Sequence, residues 1–184
     1  NPMKNSSFVG RARGRFAVGV ALLGLFVCAI VFTSFATSGE QDKSSAIEWQ
    51  EFSKALELAK KQNKIVVVDF YADWCGWCKR MDKDTYGNAE VIKYAKAKLI
   101  MTKVDTESHE KTRFKNQELT YRQLAAGMGV RGLPTTAFFD SNGELITSIS
   151  SYLTPDQFLP ILEFLSDGHY KTMKYEDFMK QRKS

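Results

Sequence analysis

The segment YADWCGWCK, residues 71–79, brings two cysteines within one helical turn of each other. It continues IVVVDF, residues 65–70, a β-branched and apolar run that Asp69 alone interrupts. Such a run is typical of a strand that is buried on both faces. The pattern therefore predicts a buried strand followed by a helix, with Cys75 in the first turn of that helix and Cys78 one turn later.

Cysteines at this spacing suit three kinds of chemistry. A closed structural zinc site needs four ligands, and the other candidates, His109 and His169, lie in separate polar segments without ligand spacing. An inert structural disulfide across so short a loop removes little chain entropy. Thiol–disulfide exchange makes use of the helix start, because unpaired N–H groups and the helix dipole favour a thiolate at Cys75. We therefore predict an exposed, attacking Cys75 and a more buried, resolving Cys78, with no metal and no cofactor.

Two further residues stand out near the predicted strands. Asp69 lies six residues before Cys75, in an apolar strand where a carboxylate is costly to bury. Two interpretations stay open: a buried general base that takes the proton of Cys78, or a strand-end aspartate that faces water or caps a turn. Pro134, within RGLPT at 131–135, directly precedes another predicted strand. A proline in that position suits a cis peptide bond or a β-bulge.

The remaining pattern predicts an α/β domain. Its order is helix, strand, helix, strand, helix, strand, strand, helix, which implies a mixed sheet with helices on both faces. A capping-box pattern at 45–48 opens the first helix, Asn88 can cap another, and Thr120 and Thr154 open two more. The polar segment 106–119 contains a candidate hairpin and has no evident chemical role. A short helix at 169–184 extends the domain.

The amino-terminal region predicts export. Residues 16–35 carry no charge and are long enough to cross a bilayer as a helix. Four basic residues precede them, and this bias places the rest of the chain outside the cytoplasm. The segment 1–36 is predicted to be either a signal peptide cleaved after Ala36 or a membrane anchor, followed by a linker at 37–45 and a domain at 46–168. Cys28 is interpreted as an apolar residue of this segment.

Charge argues against a nucleic-acid-binding protein. The net charge is +5, but four of the 26 basic residues lie before residue 16, where there is no acidic residue. The other 22 nearly balance the 21 acidic residues, so the predicted domain has no basic excess that would mark such a surface.

The segments VDFYADWCGWCK at 68–79 and VRGLPT at 130–135 together resemble the thioredoxin superfamily. The first is similar to the C-terminal thioredoxin-like domain of the membrane reductase DsbD. The carboxy-terminal half is similar to periplasmic thioredoxins of the SoxW type, so that the resemblance covers about residues 46–180. Three departures are notable: Gly-Trp between the cysteines, Met101 where a lysine is usual with Lys103 as its nearest substitute, and Leu133 in place of threonine.

The resemblance implies a thioredoxin fold and a role for each site residue. Cys75 would be the nucleophile, Cys78 the resolving thiol and Asp69 the buried acid, with a cis bond between Leu133 and Pro134 packed on the disulfide. The backbone before that proline would pair with the substrate chain like an added strand. The implied substrate-binding residues are Trp74, Gly76, Trp77, Leu133 and Pro134.

The resulting prediction is an exported thiol–disulfide oxidoreductase that reduces disulfides in periplasmic partner proteins. The resemblance also implies an electron donor, a membrane thiol transporter of the DsbD or CcdA kind. The alternatives are a disulfide oxidase or isomerase of the same fold, and a binding or chaperone module without turnover. A peroxidase would need an arginine that stabilises peroxide beside the thiol, and Lys79 and Arg80 do not form such an arrangement.

Overall fold

The computed structural model describes residues 46–182. The predicted signal peptide or anchor, including the expected hydrophobic helix, and the linker lie outside the described residues. Across 46–182, no helix combines the length and apolar character that a membrane crossing requires. In chain order the elements are β1 (Trp49–Gln50), α1 (Phe52–Gln62), β2 (Ile65–Tyr71), α2 (Gly76–Met81), a π-helical turn (Asp82–Tyr86), α3 (Ala89–Lys98), β3 (Leu99–Asp105), β4 (Lys111–Phe114), β5 (Gln117–Thr120), α4 (Tyr121–Gly127), β6 (Thr135–Phe139), β7 (Leu145–Ile149), α5 (Pro155–Ser166), a 3₁₀ turn (His169–Lys171) and α6 (Tyr175–Arg182).

A five-stranded mixed sheet forms the centre of the domain, in the order β1-β3-β2-β6-β7. Strands β1, β3 and β2 run parallel, whereas β6 and β7 pair antiparallel to their neighbours. The central strand β2 is buried along almost its whole length, as its apolar run predicts. The predicted mixed sheet and thioredoxin fold are therefore confirmed.

The sheet separates two hydrophobic cores. Because side chains alternate along a strand, Val66, Val68 and Phe70 pack with α1 and α4 on one face. Val67 packs on the other face with Phe138 and with residues of α3 and α5. Asp69 follows Val67 by two positions, so it points to this second face, the side of the sheet on which the π-helical turn also packs.

The expected start of the first helix is wrong. Residues 49–50 form an edge strand beside β3, and α1 begins only at Phe52. Glu51 is its N-cap, and the carboxylate accepts the backbone N–H groups of Ser53 and Lys54, each at 2.9 Å. The chain before this cap is not helical, and Ile47 packs into the core there as a buried residue.

Three other sequence signals produce the predicted local structure. Asn88 caps α3 through its side-chain oxygen, and Thr120 and Thr154 form capping boxes at α4 and α5.

The segment 106–119 contains the expected hairpin, β4–β5, which is a separate two-stranded sheet. Phe114 anchors this hairpin on the domain, because its ring lies 5.6 Å from that of Phe52 between centroids.

The helix that follows the cysteines changes its winding after one and a half turns. It continues as the π-helical turn Asp82–Tyr86, which ends at Gly87. A Cβ atom at Gly87 would lie only 2.5 Å from the backbone oxygen of Lys83, so this close approach requires glycine. The wider turn shifts the side chains that follow it, and these side chains contribute to the site described next.

Candidate redox site

Cys75 and Cys78 form a disulfide at the start of α2, with their Cα atoms 5.3 Å apart. Cys75 is the N-cap residue and has an extended backbone. Its sulfur accepts the backbone N–H of Cys78 at 3.1 Å. The same N–H would stabilise a Cys75 thiolate once the disulfide is reduced, because hydrogen bonds to the charged form favour that form.

The predicted difference in exposure between the two cysteines is wrong. Each of them keeps only 4% of its surface exposed. The neighbouring Trp74 and Trp77 are instead 68% and 56% exposed, and Gly76 between the cysteines is also exposed. A reacting partner therefore meets tryptophan surface and the backbone at Gly76 before it reaches sulfur.

Asp69 is buried, which excludes a strand-end aspartate that faces water; its role as a general base stays a prediction. It is 2% exposed and pairs with Lys103 of β3 and Thr136 of β6 across the sheet. Its Oδ1 has no hydrogen-bond partner among the described residues. Burial raises the pKa of Asp69 to about 6, although the nearby ammonium of Lys103 opposes the shift and the charge of Asp82 adds to it.

Lys103 links Asp69 to the protein surface. Its ammonium lies 3.6 Å from Asp69 Oδ2 and also pairs with Asp82, whose side chain is 41% exposed. The rings of Trp49 and Tyr71 surround the same ammonium, with centroids at 4.8 and 5.1 Å, a range in which cation–π attraction operates. Lys103, the nearest substitute for the lysine that is usual at Met101, thus lies beside the buried acid.

Two residues of this cluster were not predicted from the sequence. Asp82 reaches Lys103 from the π-helical turn. Tyr86, at the end of that turn, is 5% exposed, and both its burial and the charge of Asp69 raise the pKa of its hydroxyl. The i, i+4 spacing from Cys78 to Asp82 is the sequence signal for the first of these residues. The position of Tyr86 follows from the π-helical turn, which changes the angle at which its side chain leaves the helix.

Pro134 lies at the same end of the sheet as the cysteine pair. The Leu133–Pro134 peptide bond is cis. Thr135, the next residue, pairs with Phe70, one residue before the end of β2, and its hydroxyl donates to the backbone oxygen of Gly132 at 2.7 Å. Pro134 is buried and Leu133 is half-buried. The structure therefore brings the proline loop and the end of β2 together from distant parts of the sequence.

Within the described residues, the two histidines considered as zinc ligands do not form a metal-binding cluster with the cysteines. His169 stacks on Phe178 with ring centroids 5.0 Å apart, and His109 is exposed beside the β4–β5 hairpin. Within residues 46–182, no group of three or more histidine, cysteine, aspartate or glutamate side chains is arranged to hold a metal ion.

Comparison with known proteins gives a consistent result. A family model described as a thioredoxin-like domain matches residues 52–166. The thiol:disulfide interchange protein DsbD of Vibrio vulnificus strain YJ016 is 31% identical over 162 residues, which are 82% of this chain and 26% of that protein. The disulfide bond reductase DsbH of Chlamydia pneumoniae is 32% identical over 135 residues, which are 69% of this chain and 78% of that protein. The chain thus spans about a quarter of the length of the DsbD relative that it matches.

Solved structures support the same fold. A thioredoxin-fold protein from Helicobacter pylori superposes with a TM-score of 0.54 at 30% identity, covering 66% of this chain and 81% of that one. A structure described as DsbH oxidoreductase superposes with a TM-score of 0.53 at 22% identity, covering 70% of this chain and 87% of that one. At its lower identity, the second likeness concerns the fold alone.

Proposed function

This chain belongs to the thioredoxin-like domain family, and on that premise we propose that it is an exported thiol–disulfide oxidoreductase that reduces disulfides in partner proteins. The observation that carries the proposal is the Cys75–Cys78 disulfide at a helix start, where the Cys75 sulfur accepts a backbone N–H. Relatives named as a disulfide interchange protein and a disulfide bond reductase support the same chemistry.

The proposed reaction passes two electrons to the partner in two exchange steps. The Cys75 thiolate attacks one sulfur of the partner disulfide, forms a mixed disulfide and releases the first partner thiolate. The Cys78 thiol then loses its proton and attacks the Cys75 sulfur, which releases the second partner thiolate and leaves the Cys75–Cys78 disulfide. The protein ends oxidised, and a dithiol donor must reduce it before the next turnover.

Asp69 is proposed as the base that takes the proton of Cys78 in the second step. A buried carboxyl with its pKa near 6 is largely ionised at neutral pH and can still hold a proton. Lys103 keeps the carboxylate ionised by its charge, and Asp82 links Lys103 to solvent at the surface. Asp69 can therefore hold the proton inside the protein, and Lys103 and Asp82 offer a polar route from Asp69 to solvent.

The partner is proposed to bind across the exposed residues around the pair and along the proline loop. In this arrangement the backbone before Pro134 pairs with the partner chain as an added strand. The residues assigned to this surface are Trp74, Gly76, Trp77, Leu133 and Pro134.

Export and the electron donor complete the proposal. The uncharged segment 16–35 with basic residues before it supports export to the periplasm, either as a cleaved signal or as an anchor to the inner membrane. A reductase in an oxidising compartment needs a supply of electrons. We assign that supply to a membrane thiol transporter of the DsbD or CcdA kind, and the substrates to disulfide-containing exported proteins.

Trapping the mixed disulfide tests the exchange chemistry. The Cys78→Ser variant of the full chain, reduced and then mixed with insulin, is expected to accumulate a covalent complex, because the thiol one helical turn from Cys75 that would release it is gone. The complex should appear on a non-reducing gel and disappear with dithiothreitol. The matched Cys75→Ser variant should form little of it. Equal trapping by both variants, or by neither, would contradict the proposed nucleophile.

The direction of exchange is tested by the equilibrium with glutathione. A protein that serves as a reductase is expected to have a potential more negative than about −200 mV, towards the thioredoxin value near −270 mV. A value close to that of the oxidant DsbA, about −120 mV, would instead support the alternative of a disulfide oxidase. The full chain is equilibrated in glutathione buffers, and the reduced fraction is counted after alkylation.

A further inference from the structure

We propose that Trp77, Tyr152 and Arg80 form an aromatic platform that binds a bulky apolar side chain next to the cysteine of the partner polypeptide. The inference rests on the proposed function and goes beyond it, because it assigns a sequence preference to the substrate. It also assigns a specificity role to Tyr152, a residue of the loop between β7 and α5 that lies 74 positions after Cys78 in the chain.

The platform consists of three planar groups in mutual contact. The rings of Trp77 and Tyr152 lie 5.4 Å apart between centroids at an interplanar angle of 46°. The guanidinium carbon of Arg80 lies 5.4 Å from the Trp77 centroid and 5.6 Å from the Tyr152 centroid. An arginine that stacks on two rings reduces the freedom of all three side chains.

Asp84 of the π-helical turn closes this arrangement. Its Oδ2 accepts the Nε–H of Arg80 at 3.2 Å and the hydroxyl of Tyr152 at 3.3 Å. The next residue, Thr85, is fully buried and donates its hydroxyl to the backbone oxygen of Leu153 at 2.5 Å. The loop is therefore tied to the turn at two successive residues, Tyr152 and Leu153, and this supports the ring of Tyr152 against Trp77.

The position of the platform determines which partner group it meets. Trp77 stands between the two cysteines in the sequence, and its side chain is largely exposed while both cysteines are nearly covered. A chain that brings its own sulfur to Cys75 therefore lies against this ring. The contact involves the residues closest to the partner cysteine.

The chemistry of the platform favours an apolar side chain over a charged one. The charges of Arg80 and Asp84 are paired with each other, so the surface offers no uncompensated charge to an acidic or basic partner. The two aromatic rings offer apolar area, and their bracing lowers the entropic cost of binding. A small disulfide without a neighbouring side chain gains nothing from this contact.

The test compares disulfide peptides that differ in one residue. Each peptide contains one intramolecular disulfide, and the residue after its second cysteine is phenylalanine, leucine, serine or aspartate. We expect wild-type kcat/KM to be about tenfold higher for phenylalanine and leucine than for serine and aspartate, as partial burial of a large apolar side chain implies. In Tyr152→Ala this preference should fall below about twofold, while Tyr152→Phe, which keeps the ring, should retain most of it.

Two further variants keep the test decisive. Trp77→Ala removes an exposed side chain and should abolish the preference even if Tyr152→Ala folds poorly. Leu145→Ala removes another exposed apolar side chain, 48% exposed, from the opposite end of the sheet, where Leu145 pairs with Phe139. This control should keep the wild-type preference, and because each preference is a ratio within one protein, partial loss of active material does not affect it.

Hydroxyethyl disulfide distinguishes failure of the platform proposal from failure of the proposed function. Reduction of this compound needs the cysteine pair and no platform. If the wild type reduces it but reduces all four peptides at equal rates, or if Tyr152→Ala and Trp77→Ala keep the full preference, the platform proposal is overturned and the proposed function stands. If the wild type reduces neither this compound nor any peptide, the proposed function itself fails.

Discussion

Replacing Cys75 by serine is expected to lower the rate of insulin reduction by at least about a thousandfold. A serine hydroxyl stays protonated at neutral pH, and the backbone N–H of Cys78 that contacts the sulfur at 3.1 Å cannot make it a nucleophile of comparable strength. The rate is followed by the precipitation of the insulin B chain with dithiothreitol as the electron source. Cys28→Ser, the same chemical change earlier in the chain, should keep the wild-type rate.

The outcome is informative because burial does not distinguish the two cysteines. Both are 4% exposed, so only the helix position and the hydrogen bond to the Cys75 sulfur assign the nucleophile. Wild-type turnover by Cys75→Ser would exclude a catalytic role for this sulfur. If Cys78→Ser loses insulin reduction and Cys75→Ser keeps it, the two roles are reversed. If both variants lose the activity and only Cys78→Ser traps the mixed disulfide, the proposed order is supported.

The parts of the fold that could be predicted are those with a local cause. The buried strand β2 follows from a β-branched run, and Asn88 and Thr120 begin helices because their side chains accept N–H groups a few residues away. At Thr154 the side chain of Gln157 accepts the backbone N–H of the cap residue. The start of α1 was missed because Glu51, an uncommon N-cap residue, caps it. No local pattern shows that the extended residues 49–50 find a partner strand some fifty positions later.

The candidate site also has features that local sequence predicts and features that depend on tertiary packing. The cysteine pair and Asp69 lie within ten residues of one another, so strand and helix periodicity could place them. The equal burial of the cysteines could not be predicted, because it depends on side chains packed around them in three dimensions. The position of Tyr86 depends on a π-helical turn, which ordinary helical spacing does not anticipate.

Asp69→Asn is expected to lower the rate of insulin reduction at pH 7 by about a hundredfold, the lower range for loss of a general base. The wild-type rate should rise with pH through about 6 as Asp69 loses its proton, whereas the asparagine variant should lack this rise. Asp73→Asn is the matched control, because it removes the same charge from an exposed position two residues before Cys75. The control should keep both the rate and its pH dependence, and an unchanged profile in Asp69→Asn would contradict the role of the carboxylate.

The same substitution should stabilise the oxidised protein at neutral pH, and this second measurement separates a catalytic effect from damage to the fold. The pKa of Asp69 is raised from 3.8 to about 6, so the folded state holds its proton more tightly than the unfolded state does. Wild-type stability therefore falls as the pH rises from about 4 through 6, by up to about 3 kcal/mol. Asparagine carries no charge, so Asp69→Asn should be more stable than wild type at pH 7 in urea unfolding, and the difference should shrink towards pH 4. A variant that is slower but more stable is expected if Asp69 is a buried base whose ionised form lowers the stability of the folded state.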